Sequence, residues 1–86
     1  MKYKREKDFL QILCRDYILL LIDNVGWNDI QKKIVYSKYI EHKSITRTRI
    51  DLYLTSATYV RYFDNILAKL KTYLICHSDD EICKYY

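Results

Sequence analysis

The most regular hydrophobic pattern of this chain lies between Ser56 and Cys76. Apolar residues recur there at alternating steps of three and four positions, which is the spacing of one buried face of an α-helix. They are Val60, Phe63, Leu67, Leu70 and Leu74. The pattern therefore predicts a long amphipathic helix, with Ser56 as its N-terminal cap.

A second amphipathic pattern covers residues 3–24, where charged side chains surround one apolar stripe. The stripe consists of Phe9 or Leu10, Leu13, Tyr17, Leu20 and Leu21. Asn24 and Gly26 follow it, and both residue types tolerate the left-handed backbone conformation that ends a helix. We therefore expect one continuous N-terminal helix.

The pattern after this boundary predicts another helix, which begins at Trp27 or Asn28 and continues through Ile40. Asn28 can cap the free amides of its first turn. Trp27 is expected to be a buried hydrophobic anchor that packs the turn onto the first helix.

The segment 45–54 has two interpretations. It is rich in β-branched residues, and apolar residues occupy every second position from Ile50 to Leu54, as in a half-buried strand. In favour of a helix, Ser44 is a good N-terminal cap, and no Asn-Gly, Asp-Gly or Pro signal for a hairpin follows. We expect the helix, with Ile50 and Leu54 facing inward, and the strand stays open as the alternative.

These segments predict an all-α fold, a small bundle of four main helices that contains a helix-turn-helix. The absence of Pro and the single Gly agree with it, because these residues punctuate most β-turns and linkers. With 86 residues we expect one domain over 1–86. Its parts are an N-terminal helix at 3–24, a helix-turn-helix module at 27–75 and an acidic tail at 76–86, in which Ser78 can open a last short helix.

Positive charge is concentrated in the middle of the chain. The net charge is +4, and residues 43–72 carry six Lys or Arg against two Asp or Glu, which equals the whole formal excess. A basic segment of this kind suits a polyanion, since each neutralised phosphate releases condensed counterions. The alternative is an ordinary solvated surface.

No segment predicts membrane insertion or secretion. The longest apolar run, 17–22, is far too short to span a bilayer, and no signal-peptide pattern follows the charged N-terminus. Cys14, Cys76 and Cys83 are an odd number of cysteines without a secretory signal, which favours free thiols. We expect a cytoplasmic protein with no membrane partner.

The residues offer no catalytic or cofactor site. One glycine cannot form a Gly-rich phosphate loop, and His42 and His77 belong to no Ser-His-Asp or Cys-His arrangement. The cysteine spacing around His77 matches no compact zinc motif. We therefore expect neither an enzyme nor a bound metal or cofactor.

About half of the chain carries a series of positions that resembles a known group of proteins. The series is Tyr39-Ile40, the loop 41–43, Ser44, Ile50, Leu54, Ser56, Tyr59-Val60 and Ala68-Lys69-Leu70. In these positions the chain is similar to small phage late-gene transcription regulators of the ArpU and RinA type, and more distantly to region 4 of sigma factors. It departs from them at 53–55, where the usual inter-helix Gly is missing, and its length excludes a full sigma factor.

The resemblance implies a helix-turn-helix regulator that binds double-stranded DNA and acts near RNA polymerase. It places the start of the recognition helix at residues 56–62. The base contacts expected there are Ala57, Thr58, Tyr59, Arg61 and Tyr62. Contacts to the DNA backbone, which set register without reading sequence, are expected from Lys43, Thr46, Arg47, Arg49 and Ser56.

Residue chemistry supports part of this assignment and leaves a second hypothesis open. An arginine such as Arg61 can bind a guanine edge with two hydrogen bonds. A homodimer is expected, because one helix-turn-helix makes few base contacts and paired half-sites add more. The second hypothesis is a small helical protein-binding factor, such as a phage-encoded inhibitor or polymerase accessory protein, whose Tyr59, Arg61 and Tyr62 contact a protein instead of DNA.

Overall fold

The regular structure of the described residues is helical. The computed structural model describes residues 3–79, Cys83 and Tyr86. The helices are α1 (Lys4–Ile12), α2 (Arg15–Asn24), α3 (Asp29–Val35), α4 (Ile45–Asp51) and α5 (Ser56–Cys76), and α3 continues directly into a π-helical turn at Tyr36–Ile40. Since the described residues contain no strand, the all-α prediction is confirmed.

Helix α5 is the longest element, and α1 and α3 pack against it. Its buried side chains are Tyr59, Phe63, Ile66, Leu67, Leu70 and Leu74. The predicted stripe is therefore confirmed from Phe63 onward but is wrong in the first turn, where Tyr59 is buried and Val60 is 56% exposed. Both positions lie one turn before Phe63, and the Tyr59 ring stacks on the Phe63 ring at a centroid distance of 5.8 Å. Burying the aromatic ring removes more apolar surface from water than burying valine.

The N-terminal segment forms two helices, so the prediction of one continuous helix at 3–24 is wrong. The described residues therefore contain five α-helices where four main helices were expected. Leu13 and Cys14 have extended backbone conformations, with ψ of 143° and 166°. Phe9 and Ile18 are both buried, at 2% and 1% exposure. On a single helix, nine steps of about 100° would put them on opposite faces. The break lets each helix bury its own face, and Leu20, which the predicted stripe placed inside, is 47% exposed.

The boundary between α2 and α3 follows local sequence rules. Gly26 has φ of 86°, which confirms that a left-handed residue follows the N-terminal helical segment, as predicted. Asn28 caps α3: its side chain accepts a hydrogen bond from the Gln31 amide, and the Gln31 side chain accepts one from the Asn28 amide. This reciprocal pair is a capping box that satisfies two amides of the first turn.

Trp27 is buried as predicted, at 3% exposure. Its indole Nε1 donates a hydrogen bond of 3.1 Å to the carbonyl of Ile66 in the middle of α5. The loop between α2 and α3 is therefore attached to α5, whereas the sequence pointed to the first helix as its partner.

The end of the chain returns to α1. The Arg5 guanidinium lies 4.1 Å from the centre of the Tyr86 ring, Phe9 packs edge-on against the same ring, and the Tyr86 hydroxyl donates to the buried Glu6 carboxylate. Residues 77–79 form a turn after α5, and the predicted short helix after Ser78 lies mostly outside the described residues. Among the described residues, no helix combines the length and apolar character that a membrane span requires.

Candidate nucleic-acid interface

Helices α4 and α5 are joined by a short turn, and both begin at a side-chain cap. The Ser44 hydroxyl accepts a hydrogen bond of 3.0 Å from the Arg47 amide, so Ser44 caps α4 as predicted. The segment 45–54 is helical from Ile45 to Asp51, which settles the choice between helix and strand in favour of the helix. At α5 the cap is Thr55, whose hydroxyl accepts from the Thr58 amide at 3.2 Å. The prediction that Ser56 is the cap is therefore wrong by one residue.

The turn between the two helices depends on Tyr53. This residue has φ of 57°, in the left-handed region that glycine adopts without strain. The Leu54 amide donates to the Arg49 carbonyl at 2.9 Å, and the Tyr53 amide donates to the Ile50 carbonyl at 3.3 Å. These two bonds form a Schellman motif, in which the left-handed residue is usually Gly. Tyr53 thus occupies the glycine position of the motif, with its ring 95% exposed.

Helix α4 shows a different face to the core from the one predicted. Thr48 is its fully buried residue, whereas Ile50 is 60% exposed and Leu54 is half-buried. The inward position predicted for Ile50 is wrong. With only two turns of helix packed against the π-helical turn, the neighbouring backbone selects the buried face, and the small Thr48 permits a close approach.

The residues predicted to contact bases fall into an open group and a buried one. Arg61 and Ala57 are exposed, and Thr58 and Tyr62 are half-buried. Positions three or four apart share a helix face, so these four side chains lie on one open side of the first half of α5. Tyr59 is 4% exposed and packs inward, and its prediction as a base contact is wrong.

Two of the predicted backbone contacts are paired with acids. Lys43 Nζ lies 2.9 Å from Asp51 Oδ2 and 3.6 Å from Glu41, and Arg47 Nε lies 3.2 Å from Asp51 Oδ1. The hydrogen bond from Lys43 lowers the pKa of Asp51, and the same bond raises the pKa of Lys43. Asp51 therefore stays ionised and neutralises part of this basic surface.

The other predicted backbone contacts differ in exposure. Thr46 and Ser56 are exposed, and Arg49 is half-buried. The Nε atom of Arg49 is buried without a hydrogen-bond partner among the described residues. Thr46 and Arg49 line an open groove that continues along Ile50 and Tyr53 to the turn.

Sequence reasoning missed two features: the π-helical turn before α4, and the pairing of Asp51 with Lys43 and Arg47. In the π-helical turn, the Glu41 amide donates to the Tyr36 carbonyl five residues earlier, at 3.0 Å. No Gly or Pro marks this change, so the sequence carries no local signal for it. The role of Asp51 could have been found, because Arg47 and Asp51 are four residues apart on one helix.

Two tyrosines near this module have buried hydroxyls. The hydroxyls of Tyr39 and Tyr59 are buried without a hydrogen-bond partner among the described residues. Burial raises the pKa of Tyr59 to about 12, and burial also raises the pKa of Tyr39. Both side chains are therefore neutral over the physiological range.

No metal centre is built from the part of the chain that the structure describes, since no three His, Cys, Asp or Glu residues come together in it. Cys14 and Cys76 are exposed free thiols. Comparison with protein-family models, curated proteins and solved structures finds no significant match to this chain. The functional proposal therefore depends on the geometry and charge of α4 and α5.

Proposed function

We propose that the protein binds double-stranded DNA as a transcription regulator, with the first half of α5 in the major groove. The observation that supports this best is the open position of Arg61. Arg61 is exposed, and it makes no ion pair with a described residue. A free guanidinium at the start of a recognition helix is the group that most often reads guanine.

The neighbouring side chains suit the same role. Ala57 and Thr58 offer methyl groups for contact with thymine, and Tyr62 carries a hydroxyl that can reach a phosphate or a base. The side chain of Arg47 is 65% exposed although it pairs with Asp51, so it can turn toward a DNA phosphate.

The biological setting follows as part of the proposal. A single recognition helix reads few base pairs, and a homodimer on two half-sites would supply the missing contacts. From the resemblance to phage late-gene regulators, we propose that the protein acts beside RNA polymerase in the cytoplasm.

The decisive experiment measures binding to a pool of duplex DNA at two salt concentrations. If four phosphates are contacted, raising the salt from about 50 mM to about 200 mM should weaken binding by roughly 100-fold. Binding that does not respond to salt, or that is absent at the lower salt, contradicts the proposal.

A second candidate function is supported by the apolar surface next to the basic one. Ile50 is 60% exposed and Tyr53 95% exposed, and both line the groove at the turn. Exposed aromatic and aliphatic side chains beside an arginine are typical of protein contacts. A protein-binding factor without DNA contact would lose its partner when Ile50 or Tyr53 is changed to Ser. It would also retain that partner after nuclease treatment.

A further inference from the structure

A small cavity lies where α1, the π-helical turn, α4 and the first half of α5 meet. Its volume is about 140 Å³. A dry protein cavity of about 150 Å³ is known to hold one benzene molecule. The space therefore matches a single ring or a short branched chain.

The walls of the cavity are apolar on the side of α4 and α5. Ile45, Val60 and Phe63 line it. Ile45 and Val60 are 47% and 56% exposed, which is high for aliphatic residues, whereas Phe63 is 7% exposed. Ile45 and Val60 therefore lie toward solvent, where an apolar ligand would cover them, and Phe63 lies toward the core.

An aromatic ring completes the lining of the cavity. Tyr59 lines it and is 4% exposed. The Tyr59 hydroxyl is inaccessible to solvent, so the hydroxyl lies behind the cavity wall and the ring adds to the apolar lining.

The charged residues of the cavity favour an anion. Lys7 and Lys38 line it and are half-buried, and neither makes an ion pair with a described residue. Asp64 is the one acid among the lining residues, and it is exposed, so the lining carries a net charge of +1. Burial lowers the pKa of Lys38, and the nearby Lys7 lowers it further. A bound anion would stabilise the charged form of Lys38 against both effects.

We propose that this cavity binds a small monocarboxylate with one ring or a short apolar chain. The apolar part packs against Phe63, and the carboxylate accepts hydrogen bonds from Lys38 and Lys7. A monoanion fits the single excess charge, and the apolar walls disfavour a fully hydrated ion such as phosphate. The site spans α4 and α5, yet its existence does not depend on DNA binding.

The test titrates the full chain separately with benzoate, benzamide and inorganic phosphate. Binding is measured by calorimetry and by the chemical shifts of the Ile45 and Val60 methyl groups. Benzoate should bind saturably and at least about tenfold more tightly than benzamide, because only the carboxylate makes charge-assisted hydrogen bonds. Phosphate should bind more weakly than benzoate. The proposal is overturned by equal affinity for benzoate and benzamide, by phosphate binding at least as tightly, or by the absence of saturable benzoate binding.

Two variants and a matched control locate the site. Lys38→Met should weaken benzoate binding by about tenfold or more, whereas Lys71→Met, an exposed lysine of α5 outside the cavity, should leave it unchanged. Val60→Trp, at an exposed position of the rim, should block benzoate while the far-ultraviolet circular dichroism stays that of the folded chain. Benzoate binding that survives both Lys38→Met and Val60→Trp places the ligand elsewhere and overturns the proposal.

Discussion

Lys43 Nζ lies 2.9 Å from Asp51 Oδ2, which ties the loop before α4 to the last turn of that helix. Asp51 also forms an ion pair with Arg47, so one carboxylate pairs with two cations that the proposed interface would offer to DNA phosphates. In a DNA complex, a phosphate would have to displace Asp51 from each of these cations. The acid would therefore limit the affinity of the proposed interface for every DNA sequence.

Asp51→Asn should consequently strengthen DNA binding at all sequences alike. The freed Lys43 and Arg47 would each engage a phosphate more fully, and each added contact steepens the dependence of log affinity on log salt by about 0.9. Asp23→Asn removes the same charge from the exposed surface of α2 and is the matched control. If both variants change affinity equally, net charge alone is responsible and the local pairing has no role.

The contacts predicted to read bases and those predicted to hold phosphates should respond differently to substitution. Arg61→Ala should reduce discrimination between preferred and random sites by about 1–3 kcal/mol, because a bidentate guanine contact is lost. Arg47→Ala should weaken all sites to a similar extent and lower the salt dependence. Competition binding with a selected site and a scrambled one measures both effects. If Arg61→Ala weakens binding to the selected and the scrambled site equally, Arg61 does not contact a base.

Tyr59→Phe should stabilise the free protein by about 1 kcal/mol, because it removes a buried hydroxyl that has no partner among the residues that the structure describes. Tyr62→Phe, half-buried on the open face, is the matched control for the loss of one oxygen. Urea unfolding measures the difference. A loss of stability in Tyr59→Phe would show that the hydroxyl is hydrogen-bonded in solution.

The same substitution should alter the response to alkaline pH. Burial raises the pKa of Tyr59 from 10.0 to about 12, so the folded state holds this proton more tightly than the unfolded chain. That contribution to stability is complete below pH 10 and is lost as the pH rises toward about 12. The decline in melting temperature over this range should be shallower in Tyr59→Phe. The pKa of Tyr39 is also raised, so Tyr39 should still contribute to the decline in melting temperature in this variant.

Tyr53→Gly should stabilise the protein by up to about 1 kcal/mol. A left-handed conformation costs an L-residue about 1–2 kcal/mol, and glycine avoids most of this at a smaller entropic cost. The ring of Tyr53 is 95% exposed, so little packing is lost. Tyr53→Ala keeps the Cβ atom and is the control: it should change stability less than Tyr53→Gly. The opposite order would show that the turn is not strained.

The features that sequence predicted correctly depend on neighbouring residues. Asn28 and Ser44 cap their helices, and Gly26 takes the left-handed conformation, because a cap needs only a suitable side chain and the next few amides. The exposure of Arg61 was predicted for the same reason, since the Phe63–Leu74 stripe fixes the orientation of α5.

The features that were predicted incorrectly depend on contacts between distant segments. Tyr59 and Val60 are adjacent apolar residues, and only the packing around Phe63 decides which of them turns inward. The break at Leu13 follows from the need to bury Phe9 and Ile18 at once. A helix pattern read along one segment contains neither constraint.

Trp27 gives the protein an internal optical reporter. It is the chain's single tryptophan, and its indole is bound to the middle of α5 through the Ile66 carbonyl. Its fluorescence, excited where the ten tyrosines do not absorb, should shift to the red when the loop between α2 and α3 leaves α5. If that shift coincides with the loss of helical circular dichroism, the chain unfolds in one cooperative step. A shift at lower denaturant concentration would identify the contact between this loop and α5 as a separate unit of folding.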